Sequence, residues 1–247
     1  MKKFTLFIVV VLCIAHLVKA QLKLYVYENN GEVTEFVASN VDSIAFTAPG
    51  TYPINPKTED YVDLGLSVRW ATCNVGATTP EQYGDYFAWG EIDTKDYYDI
   101  DNYKWCNGTY GTLTKYCMSK TYGKVDNKKQ LDLADDVANV DRGGRWRMPT
   151  ENEFKELLEN CTITWINSNG IYGCELVSKK NGNSIFIPAA GYYYHNEMDC
   201  DYFGYYWTSS LDTSNSDRAM QFAFNEDGNK IIGSTRYFGQ PVRPVMP

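Results

Sequence analysis

Asx-Gly pairs set between strand-like runs constrain this fold more than any other feature of the chain. Asn30-Gly31 joins "LKLYVY" to "EVTEFVAS", Asn181-Gly182 joins "CELVSK" to "NSIFIP", and Asp227-Gly228 joins "MQFAF" to "NKIIG". Both residues of such a pair tolerate positive φ, which a tight hairpin turn requires. Helix signals are fewer. In "PTENEFKELLENC" (149–161), Thr150 and Glu153 fit a capping box, and Phe154, Leu157, Leu158 and Cys161 recur at helical spacing on one face. In "DLADDVANV" (132–140), Asp132 is the expected cap, with Ala134, Val137 and Ala138 turned inward. The pattern predicts an α+β fold of short antiparallel strands, one or two short helices and long loops.

The ends organise the rest. Residues 1–20 read as a secretory signal peptide. Lys2 and Lys3 precede an apolar run, Phe4–Ala15, that is too short for a membrane span, and Val18 and Ala20 sit at the −3 and −1 positions of a cleavage site. Cys13 raises a lipoprotein alternative, but "VVLC" lacks the small residues expected before a lipidated cysteine. Residues 21–47 form a small β appendage, with Leu22, Leu24 and Val26 on one face and "DSIAF" as a third strand. Residues 48–58 carry three prolines and read as a linker. Residues 59–247 are long enough for one core. No later segment is long and apolar, so no transmembrane segment is expected in the mature chain. The expected location is exported: secreted or on the outer cell surface, with the periplasm as the other compartment the leader allows.

Removing residues 1–20 takes away three lysines and no acid, which moves the formal charge from −8 to −11. An acidic chain without a basic cluster is a poor match to nucleic acid. The even set Cys73, Cys106, Cys117, Cys161, Cys174 and Cys200 favours disulfides in an exported protein. Cys106 and Cys117 flank "NGTYGTLTKY", which reads as a hairpin, and are expected to pair.

Several phrases together resemble the Fibrobacter succinogenes major paralogous domain family. They are "YVDLGLSVRWATCNVGA" (61–77), "YGDYFAWGE" (83–91), "YKWCNGTYGTLTKYC" (103–117), "GGRWRMPTENEFKELLENC" (143–161), "NGNSIFIPAAGY" (181–192), "GYYWTSS" (204–210) and "FGQPVRPV" (238–245). The resemblance covers 59–247 and implies a C-type-lectin-like domain, distantly related to formylglycine-generating enzymes and found in secreted and surface proteins of Bacteroidetes-type bacteria. Those enzymes use a cysteine pair near the domain's end. Here no cysteine follows Cys200, so that activity does not carry over. The family's usual Gly-Phe-Ser-Val-Arg ending reads Gly239-Gln240-Pro241-Val242-Arg243, and Pro241 cannot donate a ladder bond.

The resemblance makes "PAAGY" and "YYWTSS" core strands and 195–203 the loop between them. That loop and the tyrosines beside it are the expected ligand surface: Tyr193, His195, Asn196, Glu197, Asp199, Asp201 and Tyr202. The aromatic faces of Tyr192, Tyr193, Tyr194, Tyr202, Tyr205 and Tyr206, with planar polar groups, suit a glycan, and the same surface suits a cell-surface protein. Alternation lets either Tyr193, or Tyr192 and Tyr194, face outward. Trp207 is expected in the core. Glu197, Asp199 and Asp201 supply oxygens of the kind calcium prefers, although the sugar-binding signatures Glu-Pro-Asn and Trp-Asn-Asp are missing; the acids of 93–101 form a second such cluster. No other cofactor is implied. His195 lacks a companion nucleophile motif, so no enzymatic activity is expected. Trp146 reads as core, and the arginines beside it as partners of Asp135 or Asp136. The expected function is a non-enzymatic binding module for a glycan or a surface protein. The alternative is an assembly component that uses the exposed strand edges of 22–47.

Overall fold

The structure, a computed structural model, describes residues 23–27, 33–37, 61–199 and 202–247, without the side chains of Lys23, Leu24, Val26, Tyr27, Val33, Thr34, Phe36 and Asp199. The leader 1–20, the linker 48–58, the turn at 30–31, the strand expected at 42–46, Cys200 and Asp201 lie outside the described residues. The chain divides into two units, Met1–Ile54 and Asn55–Pro247. In the first, β1 (Lys23–Tyr27) and β2 (Val33–Val37) pair antiparallel, with Lys23 opposite Val37 and Tyr27 opposite Val33.

The second unit is α+β. It begins with β3 (Tyr61–Val62) and β4 (Arg69–Ala71), and near its end β13 (Val245–Met246) pairs with the other side of β4. Its two ends therefore close in one three-stranded sheet. Among the described residues no helix is long and apolar enough to cross a membrane.

Both helices start on side-chain caps. Asp136, not Asp132, caps α1 (Val137–Arg142), and a 3-10 turn, Leu133–Asp135, precedes it. The shift has a physical reason. Lys115 and Lys128 draw the Asp132 carboxylate outward, while the buried Asp136 carboxylate accepts from the backbone N–H groups of Asn139 and Met148. Val137 and Ala138 are buried as expected, but Ala134 is exposed. The capping box at α2 (Glu151–Asn160) forms: Thr150 Oγ1 accepts from the Glu153 N–H at 3.2 Å, and Glu153 Oε2 accepts from the Thr150 N–H at 2.7 Å. Arg147 forks onto the same Glu153 at 2.8 and 2.6 Å rather than reaching Asp135 or Asp136. Trp146 is half-exposed rather than core, with the Arg142 guanidinium 4.8 Å over its ring.

α2 buries Phe154 and Leu157 against β5 (Cys161–Ser168), β6 (Ile171–Ser178) and β7 (Ser184–Pro188), an antiparallel sheet. Asn169 and Gly170, both at positive φ, make the β5–β6 turn, an Asx-Gly pair that the sequence reading passed over. The hairpin of β8 (Tyr192–Tyr194) and β9 (Glu197–Asp199) follows. A third sheet holds β10 (Gly204–Leu211), β11 (Arg218–Asn225) and β12 (Gly228–Thr235) in that order. Tyr206, Phe222 and Phe224 leave one of its faces for the α2 core. Trp207 and Leu211 leave the other for a second cluster with Trp89, Tyr116 and Met148.

The expected Cys106–Cys117 disulfide is not formed. Cys106 bridges Leu113, so the hairpin closes four residues short of Cys117, and Tyr116 at φ 57° turns the chain away. The Cys106 thiol instead meets the carbonyl of Thr109, and the Cys117 thiol that of Ser119. Cys73, Cys161 and Cys174 are also free thiols.

Candidate functional site

The face of β10–β12 that sends Trp207 into the core changes character two residues away. Antiparallel register sets Tyr205 opposite Ala223 and Ala223 opposite Lys230; the next row holds Trp207, Gln221 and Ile232. Side chains alternate faces along a strand, so these two rows share a face. The Trp207 side is covered. The Tyr205 side is the floor of an open groove.

Two adjoining hollows make up that groove, and Tyr205 and Gln221 border both. The inner one, about 180 Å³, is lined by Tyr192, Tyr205, Gln221, Ser234, Phe238 and Gln240. The outer one, about 420 Å³, runs past Phe203 towards Asn225, Asn229 and Lys230 beside the Glu226-Asp227 turn. β8 reaches the groove because the Tyr193 and Gly239 backbones exchange hydrogen bonds at 2.7 and 2.9 Å. Gly239 has no room for a side chain, since a Cβ would lie 2.7 Å from the Tyr98 ring. Gln240 is held in turn by two backbone bonds to Phe87.

Ring geometry in the groove is ordered. Tyr192 stacks on Phe238 with centroids 5.2 Å apart and meets Tyr205 edge-on at 5.4 Å. Phe203 stacks on Tyr205 at 6.1 Å. Beside the tyrosine hydroxyls, the inner hollow's polar groups are two amides and a serine hydroxyl: Gln240 Nε2 donates to Gln221 Oε1 at 2.6 Å and to Ser234 Oγ at 3.2 Å. Gln240 is 1% exposed, and its Oε1 has no partner among the described residues.

The loop that the sequence singles out is built differently. His195 stands at φ 56° and exchanges two backbone bonds of 2.9 Å with Tyr98, which ties the 93–101 segment to the β8–β9 turn. Its ring stacks with Tyr194 at 3.9 Å and with Tyr97 at 4.9 Å, and its Nε2 pairs with Asp99 Oδ2 at 2.8 Å. Tyr193 packs edge-on against Tyr86 at 4.8 Å and alongside Tyr98. Burial pushes the Tyr98 hydroxyl up to about 12, so it stays protonated and donates to the carbonyl of Tyr86. Asn196 and Glu197 are exposed. Tyr202 is 62% exposed, with its ring 6.0 Å from Tyr172. Among the described residues no three His, Cys, Asp or Glu side chains converge on a cation position; Asp201 and the Asp199 side chain are not among those residues.

The sequence reading named Tyr192 and Tyr205 among the aromatic candidates but missed Gln221, Ser234, Phe238 and Gln240. Alternation along β11 and β12 puts the first two on one face, a signal open to inspection. Only the fold brings the 238–240 segment beside them. Comparisons with protein-family models, with curated proteins and with solved structures find no match to this chain.

Proposed function

We propose that this protein is an exported, non-enzymatic binding module that holds a glycan in the groove between β8, β10–β12 and the 238–240 segment. The observation that carries the reading is the pairing of aromatic faces with amides along one open groove. A sugar ring presents an apolar C–H face and an edge of hydroxyls that both donate and accept. Tyr192, Tyr205, Phe203 and Phe238 offer surface for the face. Gln221, Gln240 and Ser234 between them offer both halves of a hydrogen bond to the edge: Gln221 Nε2 and the Ser234 hydroxyl keep hydrogens to donate, and Gln240 Oε1 keeps lone pairs to accept. The groove lies directly beside the loop 195–203, which forms its border at Phe203 rather than its floor.

The same reading takes the second unit as a C-type-lectin-like domain of the major paralogous type. In its support, the end strands close in one sheet and long loops run between small sheets. The groove lining contains one carboxylate, Asp227, whereas calcium takes six to eight oxygens. Recognition there therefore needs no calcium. The catalytic candidate the sequence raised, His195, pairs through Nε2 with Asp99 and stacks with Tyr97 and Tyr194, which gives it a place in the fold without catalysis.

A glycan-binding panel, run with calcium and with chelator, tests this reading. Tyr192→Ala with Tyr205→Ala should abolish binding, while chelator should not. Alanine at His195, Glu197, Asp199 and Asp201 should leave binding intact. Binding lost on chelation, or with the loop variant alone, would overturn the groove in favour of the loop. The assembly alternative draws on the β1–β2 pair, a two-stranded sheet whose edges suit strand addition. It requires that deleting 21–50 abolish surface assembly while the second unit stays folded.

A further inference from the structure

We infer that the groove takes an uncharged stretch of polysaccharide at two adjoining subsites, an inference that rests on the glycan reading of the same groove and narrows it. The inner subsite has the stacked Tyr192–Phe238 pair on one side and Gln221, Gln240 and Ser234 on the other. All its polar groups are neutral. Amides and hydroxyls exchange hydrogen bonds both ways with sugar hydroxyls. A uronate carboxylate or a sulfate only accepts, and it would lose water there with no cation in exchange. The buried, unpartnered Gln240 Oε1 calls for a donor, which an anion lacks.

The outer subsite repeats the pattern with the Phe203–Tyr205 pair and the amides of Asn225 and Asn229. Its charged groups, Asp227 and Lys230, are of opposite sign and give no net cationic field. The chain's overall charge of −8 further disfavours an anionic polymer. Length argues for more than one sugar. From Ser234 to Gly228, strand β12 runs about 20 Å at the usual rise per residue. The two hollows are open and adjoin at Tyr205 and Gln221, so the middle of a chain fits as well as an end.

Affinity electrophoresis of the full-length protein tests the inference. The probes are two neutral polymers, a linear β-glucan and a galactomannan, and two acidic ones, polygalacturonate and alginate. The proteins are wild type, Tyr192→Ala and Tyr205→Ala, each checked for folding by circular dichroism. The expected result is retardation by a neutral polymer, weakened at least tenfold in both variants, and none by the acidic ones. Acidic polymers bound and released by the same variants would overturn the neutral class while leaving the groove reading intact. Binding of no polymer, or equal binding by wild type and folded variants, would overturn the groove reading and the inference with it. Oligomers of the bound polymer test the second subsite. Affinity should rise at least tenfold from one sugar to four, and equal affinity would remove that subsite.

Discussion

The turn at His195 and the groove beside it are both rich in aromatic rings, yet one is knit together by its own hydrogen bonds and ring contacts while the other borders a hollow. At the turn, His195 stacks with Tyr97 and Tyr194, pairs with Asp99 and exchanges backbone bonds with Tyr98. Tyr193 is consumed against Tyr86 and Tyr98. In the groove, rings of Tyr192, Phe203, Tyr205 and Phe238 border a hollow, and the amides beside them keep capacity, with Gln240 Oε1 unpartnered. Aromatic density alone therefore does not mark a site. What separates the two regions is that the groove's rings line an open hollow beside amides with spare capacity, while the turn's rings and polar groups are tied to one another.

The largest effect that sharpens this contrast comes from the groove rings. Tyr192→Ala with Tyr205→Ala should weaken glycan binding more than tenfold, at least about 1.4 kcal/mol, by titration calorimetry. Each ring also packs on a neighbour, Tyr192 on Phe238 and Tyr205 on Phe203, so the melting temperature should fall as well, and affinity is compared on protein shown to be folded at the assay temperature. An unchanged affinity would break the contrast.

Next is Gly204→Ala, at the point where the loop enters β10. A Cβ there would lie 2.1 Å from the ring of Phe224, which is buried in the α2 core and cannot move aside. The overpacking should cost about 1–3 kcal/mol of stability in denaturant melts. Binding should weaken through displacement of Phe203 and Tyr205. A variant as stable as wild type would show that the rim of the groove is not anchored to the core.

How much of this was legible beforehand differs by element. The hairpins at Asn181-Gly182 and Asp227-Gly228 and the Thr150–Glu153 capping box are local, and each forms from a few neighbouring residues, although in both hairpins only the glycine takes positive φ. Trp207 follows its strand into the core. The Cys106–Cys117 pairing failed because flanking a turn does not set register: Cys106 faces Leu113. The choice between Tyr192 and Tyr193 stayed open because alternation separates two faces without naming the buried one. Tyr86 and Tyr98, about a hundred positions away, decide it. The groove was hidden for the same reason. Gln221, Ser234 and Gln240 meet only through β-sheet register and the Gln240–Phe87 bridge.

A smaller effect should come from His195→Ala. The imidazole is partly open to solvent, so the lost pair with Asp99 is worth about 0–1 kcal/mol. The melting temperature should fall slightly, with affinity unchanged within twofold. Loss of binding in a folded His195→Ala protein would make the turn, not the groove, the recognition surface.

The smallest effect on binding, none at all, concerns pH and calibrates fold loss against binding loss, since Asp136 lies outside both regions. Burial pushes its carboxyl from 3.8 up to about 6 despite the amides it accepts from. The folded state therefore holds this proton more tightly than the unfolded chain. The resulting stability is complete below about pH 4 and is lost as pH rises through about 6. Glu153 has the opposite sign: the Arg147 fork and the Thr150 N–H hold it below its ordinary value, overcoming the effect of burial, so its contribution disappears as pH falls. The difference in melting temperature between wild type and Asp136→Asn should change across pH 4–7 and level off above it. A constant difference would mean that Asp136 titrates normally.

The central claim is that the ligand seats in the groove and not on the His195 turn. Backbone amide chemical-shift mapping with the tightest-binding oligosaccharide tests it most directly. The predicted result is a cluster of perturbed amides at 203–205, 221–234 and 238–240, with those of 95–99 and 194–197 nearly still. Perturbations concentrated at 95–99 and 194–197, with β11 and β12 unmoved, would contradict it.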